Sequence, residues 1–210
     1  MNRNQLKAVE IACQVMGNLK IKAGQTEKEI AAWIKHEISQ RGAKLAFDTI
    51  VASGPRSIDP HARPSGKKIK NGEHIMVDLG AKYLGYCSDI TRTFYVGRRS
   101  AKFQHLFSVV AAAQERAIAV VKDGAYCREI DIAAREYIKR CSGGCFIHST
   151  GHGIGRKVHQ EPRISLKSRK KLKAAMVITV EPGIYLKGWG GVRIEDMVLV
   201  TKKGGKILTR

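Results

Sequence analysis

Apolar residues recur at Leu6, Val9, Cys13 and Met16, the spacing of one helix face, so residues 4–19 are expected to form an amphipathic helix that Gly24 breaks. Thr26 followed by Glu29 is a capping-box pattern, and Ile30, Ile34 and Ile38 then share one face before Gly42 stops a second helix. Phe103, Leu106, Val110, Ala117 and Val121 predict a third helix ending near Gly124. Ile130, Ala134, Tyr137 and Ile138 predict a fourth, ending at Gly143-Gly144. Strand-like stretches follow each pair: residues 45–53, 75–79 and 87–96 after the first, then 145–149, 176–181 and 192–201 after the second. Helices followed by strands, twice, predict an α+β fold, with a central, mainly antiparallel sheet and the helices on its outer face.

The two helix pairs are alike in sequence. At an offset of 100 residues nine positions between 6 and 42 are identical, among them Leu6/Leu106, Gly24/Gly124, Glu29/Glu129, Ile30/Ile130 and Ile38/Ile138. That is several-fold more than pairing of average compositions produces. The expectation is an internal duplication within one domain, 1–210, with halves of about 1–97 and 101–210 joined at residues 97–100.

Composition narrows the class. No apolar run approaches the ~20 residues of a membrane span, and the first twenty residues lack the apolar core of a signal peptide, so a cytoplasmic protein is expected. Five cysteines, an odd number without CxxC pairs, suggest neither a disulfide framework nor a thiolate zinc site. The formal net charge of +20 gives a field that can gather nucleic acid non-specifically. Its densest run, residues 163–173, lacks the aromatics of a stacking platform and is expected to be a solvated helix or turn.

The candidate chemistry lies in carboxylates set within strand-like sequence. Residues 75–96 hold Asp78 and Asp89 among β-branched neighbours. A hairpin closed at Tyr83-Leu84 would put these two acids on one rung, where like charges destabilise unless a cation lies between them. Glu181 ends another strand-like stretch, and the period of two places Arg193 and Glu195 on one face. Between them His148, His152 and His159 fall within twelve residues beside flexible glycines. Two Asp, two Glu and an imidazole suit manganese, cobalt, zinc or iron. Four carboxylates against two divalent ions leave room for one bridging hydroxide, which such a pair makes available near neutral pH.

The motifs VDLGAKYLGYCSDITRTF, HSTGHGIGRKVHQEP, ITVEPGIY and GVRIED, in this order, are similar to those of the metal-dependent aminopeptidases and proline-specific peptidases of the pita-bread fold. The resemblance spans nearly the whole chain. It implies that Asp78 chelates one metal, that His152 and Glu181 bind the other, and that Asp89 and Glu195 bridge. It also implies that His61 and His159 contact the scissile amide or the tetrahedral intermediate. Glu181 would act as the proton shuttle.

Within the family, His148 and Arg193 resemble features of the Xaa-Pro branch, where they would anchor a substrate carboxylate or carbonyl. The implied activity is hydrolysis of an N-terminal peptide bond, Xaa-Pro favoured, with a peptide as substrate and a homodimer left open. Methionine aminopeptidase is the alternative within the family. Xaa-Pro enzymes usually carry an N-terminal domain, and this chain opens on the catalytic-domain helix, so the expectation is a catalytic domain without it. An alternative of another class is a metal-free nucleic-acid or ribosome-binding relative, which the +20 charge fits and the complete ligand set opposes.

Overall fold

A computed structural model describes residues 1–142 and 145–210. Four helices are present: α1 (Arg3–Asn18), α2 (Glu27–Gln40), α3 (Ala101–Val120) and α4 (Cys127–Ser142). All four follow the sequence periodicity, although the expected stop at Gly143-Gly144 lies outside the described residues. Of the expected stripe of α1, Val9 and Met16 are buried, Cys13 is half-buried and Leu6 is exposed; Ala8, Ile11, Ala12 and Val15 are buried beside them, so the stripe is wider and centred about one residue away. The capping box of α2 is complete, with Glu29 N–H donating to Thr26 Oγ1 and Thr26 N–H to Glu29 Oε2. None of the described helices is long and apolar enough to cross a membrane.

The first half contributes β1 (Lys44–Leu45), β2 (Ile50–Ser53), β3 (Glu73–Leu79), β4 (Ala81–Tyr83), β5 (Tyr86–Cys87) and β6 (Ile90–Val96). The second contributes β7 (Gly151–Gly153), β8 (Gln160–Ile164), β9 (Val177–Val180), β10 (Gly183–Leu186), β11 (Gly190–Arg193), β12 (Asp196–Val200) and β13 (Gly205–Ile207). Two antiparallel sheets dominate, β2-β3-β6 and β13-β12-β9-β7-β8, with smaller β1-β4-β5 and β10-β11 pieces beside them. The order β2-β3-β6 in one half matches β7-β9-β12 in the other. The helices pack on these sheets through two separate cores, one holding α1, α2 and β3, the other α3, α4, β9 and β12. A small cluster of Val9, Cys87, Ile154, Val177 and Met197 joins the halves. This is the duplicated α+β architecture that the sequence implies.

Four expectations need correction. The stretch 145–149 is not a strand; its only ladder contact is an isolated bridge from Cys145 to Tyr185, and the strand begins at Gly151 instead. Residues 192–201 split into β11 and β12 around Ile194-Glu195, and 45–53 splits into β1 and β2. The basic run is the expected exposed turn only in its middle, where Ser168 N–H donates to Ser165 O at 3.0 Å; its two ends are held to the fold. Its first residues end β8, and Leu172, fully buried, exchanges backbone hydrogen bonds with Gly124 and Ala125 at 2.9 and 2.8 Å. Ile69 makes the same pair of bonds to Gly24 and Gln25, at 2.9 and 2.8 Å, so the run is a strap across the start of a helix, repeated in both halves.

The fourth concerns register. The hairpin turns at Leu84-Gly85, both at positive φ (44° and 84°), as a two-residue loop with left-handed central residues does. Asp78 therefore pairs with Thr91, and Asp89 lies just outside β6. Moving the turn by one residue moves the partner by two, so Asp89 keeps the face of Asp78 and becomes its diagonal neighbour.

Candidate metal centre

The acids meet where β6 runs against the segment after β11. Glu195 N–H donates to Thr91 O at 3.1 Å, Asp89 N–H reaches Met197 Sδ at 3.3 Å, and Arg92 bridges to Glu195 O and Asp196. Each half thus supplies acids to one seam. His152 arrives on β7, which approaches β9 so closely that a Cβ on Gly151 would run into the Thr179 carbonyl. Thr179 Oγ1 then accepts from His152 N at 3.1 Å and donates to Glu181 Oε1 at 3.3 Å, which fixes both side chains together.

Asp89, His152 and Glu195 present ligand atoms all within 4.8 Å of one another. Glu181 Oε1 lies 3.4 Å from His152 Nε2, and Asp89 Oδ2 lies 3.7 Å from it. Asp78 joins the group through Arg193, whose Nη2 donates to Asp78 Oδ2 at 2.6 Å and whose Nε donates to Thr91 Oγ1 at 3.2 Å. Thr91 Oγ1 in turn donates to Glu195 Oε2 at 2.7 Å. All five expected ligand residues are therefore brought together. They sit in a cavity of about 740 Å³ that His61, His148 and His159 also line.

The chemistry of this donor set fits divalent cations. Three buried carboxylate oxygens, Asp78 Oδ1, Asp89 Oδ1 and Glu195 Oε1, accept no hydrogen bond, and an unsatisfied buried acceptor normally costs ~1–3 kcal/mol. His152 donates its Nδ1–H to Gly153 O at 3.1 Å, which leaves the Nε2 lone pair pointed at carboxylate oxygens. Burial holds the His152 imidazole down at about 4, so it is neutral and available as a ligand. Burial pushes the Asp89 and Glu195 carboxyls well up, and repulsion from neighbouring carboxylates pushes them further. Glu181 is raised to about 7 by burial, with the Arg193 charge opposing and that of Asp78 adding. Cations among these groups would remove both the repulsion and the orphaned acceptors.

Arg193 is more engaged than its sequence position suggests. Besides Asp78 and Thr91 it donates through Nη1 to Pro60 O at 3.2 Å and to Tyr185 Oη at 3.1 Å. Four of its five N–H groups are thus occupied, leaving one on Nη2 for a ligand. Its ion pair also offsets the charge of one of the four clustered carboxylates, that of Asp78.

Tyr185 and Thr91 were not legible as site residues. Tyr185 is buried, its hydroxyl accepts from Arg193 and faces His148 Nε2 at 2.8 Å, and burial raises its pKa, so it stays protonated. His148 donates its Nδ1–H to Ser149 O at 2.9 Å and accepts a hydrogen bond from the Tyr185 hydroxyl on Nε2. Burial, then the Arg193 charge, keeps it neutral, down to about 3. His159 is exposed, its ring edge-on to that of His152 with centroids 4.3 Å apart, and His61 is exposed at the cavity mouth.

The fold and site together define a carboxylate-histidine cluster suited to divalent cations at the seam of a duplicated α+β fold. Residues 3–202 match the model of metallopeptidase family M24, and the chain belongs to that family. It is 44% identical to the Xaa-Pro dipeptidase of Pyrococcus furiosus over 99% of this chain and 62% of that protein. Among solved structures, prolidase from Pyrococcus furiosus superimposes with a TM-score of 0.96 at 46% identity, over 99% of this chain and 63% of that one. The X-Pro aminopeptidase of Thermotoga maritima does so at 0.93 and 42%, over 99% and 60%. The chain spans about three fifths of the length of these relatives.

Proposed function

We propose that this protein is a dinuclear metal-dependent exopeptidase that hydrolyses the N-terminal peptide bond of Xaa-Pro substrates. The observation that carries the reading is the trio of orphaned buried oxygens on Asp78, Asp89 and Glu195 beside the inward-facing His152 Nε2. Asp78, Asp89, His152, Glu181 and Glu195 would hold two divalent ions, of manganese, cobalt, zinc or iron. Bound ions would supply Lewis acidity, polarising the scissile carbonyl and making water a stronger acid.

The chain's own residues do the rest. Glu181 moves a proton from water to the leaving nitrogen through Oε2, the oxygen that Thr179 does not engage. His61 and His159, at the open side of the cavity, donate to the oxygen on which negative charge develops. The remaining N–H of Arg193 positions the substrate beyond the scissile bond, on the side of the cavity that His148 lines and helps to order through Tyr185 Oη. An Xaa-Pro bond is a tertiary amide, so no donor or acceptor is needed for an N–H on the leaving nitrogen. We further infer a cytoplasmic protein with reduced thiols, consistent with five cysteines that are all free.

Hydrolysis of Ala-Pro and Met-Ala peptides, before and after chelation and with manganese restored, tests the reading. Metal-dependent turnover with Ala-Pro favoured is expected. Turnover that survives complete metal removal contradicts it, and a Met-Ala preference moves the protein to the methionine aminopeptidase reading.

A further inference from the structure

A second concavity, of about 660 Å³, opens beside the catalytic cavity and shares His148, Ser149, Glu161 and Arg163 with it. Its wall is basic. Arg135, Arg163, Lys167, Arg169 and Lys170 face it against a single acid, Glu161, a local balance of +4. Part of this charge is already paired: Arg135 to Asp131 at 2.9 Å, and Lys170 to Glu161 at 3.2 Å. Arg163, Lys167 and Arg169 are exposed and have no carboxylate partner among the described residues. The groove floor is firm, because Ile164 and Leu172 on either side of it are fully buried and Arg135 is tied to the Phe146 and His148 carbonyls.

Polarity gives this groove an orientation. An exopeptidase acting at the N-terminus must seat a cationic ammonium near the scissile bond, inside the catalytic cavity rather than along a basic groove. A basic wall repels the same ammonium. The remainder of the peptide therefore leaves past His148 and Ser149, two of the residues common to both concavities, and enters the groove in its C-terminal direction.

We propose that this groove is an extended substrate site that selects peptides carrying acidic side chains, or a free carboxylate, in the residues that follow the scissile bond. The inference rests on the exopeptidase reading above and names the substrate class of that same site. Its continuity with the catalytic cavity favours a peptide over a separately bound nucleic acid. With Arg163, Lys167 and Arg169 solvent-exposed, the attraction is screened by salt and acts on encounter and KM more than on the chemical step.

The test uses the metal-loaded full chain and three capped peptides, Ala-Pro-Asp-Glu, Ala-Pro-Asn-Gln and Ala-Pro-Lys-Lys. At low salt kcat/KM should favour the acidic peptide over the neutral one by about tenfold, with the basic peptide poorest. The advantage should collapse at high salt and in the double variant Lys167→Gln/Arg169→Gln, while turnover of the neutral peptide stays unchanged. Equal rates for the acidic and neutral peptides, or an advantage that survives the double variant, would overturn the proposal. Anisotropy of a fluorescent acidic peptide supplies an independent readout. If the dipeptide Ala-Pro is not hydrolysed either, the exopeptidase reading fails, whereas salt-sensitive binding lost in the double variant still supports the groove; if Ala-Pro is cleaved and none of the longer peptides is cleaved or bound, the groove proposal alone is overturned. If a single-stranded RNA oligonucleotide binds the groove and the acidic peptide does not displace it, the groove serves nucleic acid instead.

Discussion

Five hydrogen bonds converge on the fully buried carboxylate of Glu27. Ser53 N and Oγ donate to Oε1 at 2.9 Å each, while Arg56 Nε, Ser65 N and Ser65 Oγ donate to Oε2 at 3.1, 3.0 and 2.7 Å. Both ends of the segment that carries His61 are thereby pinned to the start of α2. Burial alone would raise this carboxyl, but the donors from Ser65 and Ser53 outweigh it and hold it below its ordinary 4.5. A lowered folded-state value means stability that is present in full above 4.5 and is lost as the pH falls through the folded value. Glu27→Gln should therefore cost ~1–3 kcal/mol at neutral pH, and the gap to the unsubstituted protein should close on the acid side. Urea unfolding at pH 7 and in the acid limb measures it; a gap that does not change with pH contradicts the assignment. The five proposed metal ligands were legible because carboxylates within β-branched runs, and a histidine between glycines, need an explanation that packing does not provide. Glu27 and Tyr185 were not, because an acid in a first helical turn and a tyrosine in a strand look ordinary until the chain folds over them.

At the scale of elements, the helices were legible from periodicity and caps, while strand limits and register depended on turns. The hairpin of β3 and β6 was misplaced by one turn residue, although Gly85, the residue type that the second position of a left-handed two-residue loop favours, marks Leu84-Gly85 as the turn. The face survived the error because side chains alternate with period two. The basic run was misread because its charges hide one apolar anchor, Leu172, which fills the place that Ile69 holds in the first half. Leu172→Ala should destabilise the fold by ~2–5 kcal/mol, as deletion of a buried aliphatic side chain does. Thermal or urea unfolding decides the matter, and a cost within ordinary surface scatter would mean that the strap is not packed as described.

Across the whole molecule, duplication explains where the centre lies. Each half has its own helices, sheet and core, and the acids face one another only where β6 meets the chain between β11 and β12. The offset of 100 residues was visible through the helices and carries on from Ser53 to Gly153, which pair with Ile75 and Ile178 in their sheets. Beyond that point the equivalent residues, Ile69 and Leu172 or Ile75 and Ile178, lie 103 apart. A fixed-offset comparison loses the repeat at such a shift, although hydrogen bonding preserves it.

The central claim is that Asp78, Asp89, His152, Glu181 and Glu195 surround a pair of divalent ions. Anomalous scattering from crystals grown with manganese tests it most directly. The account predicts two peaks about 3.5–4 Å apart among these five side chains, with Asp89 and Glu195 between them. Manganese bound elsewhere, with no peak between Asp89 and Glu195, would contradict it.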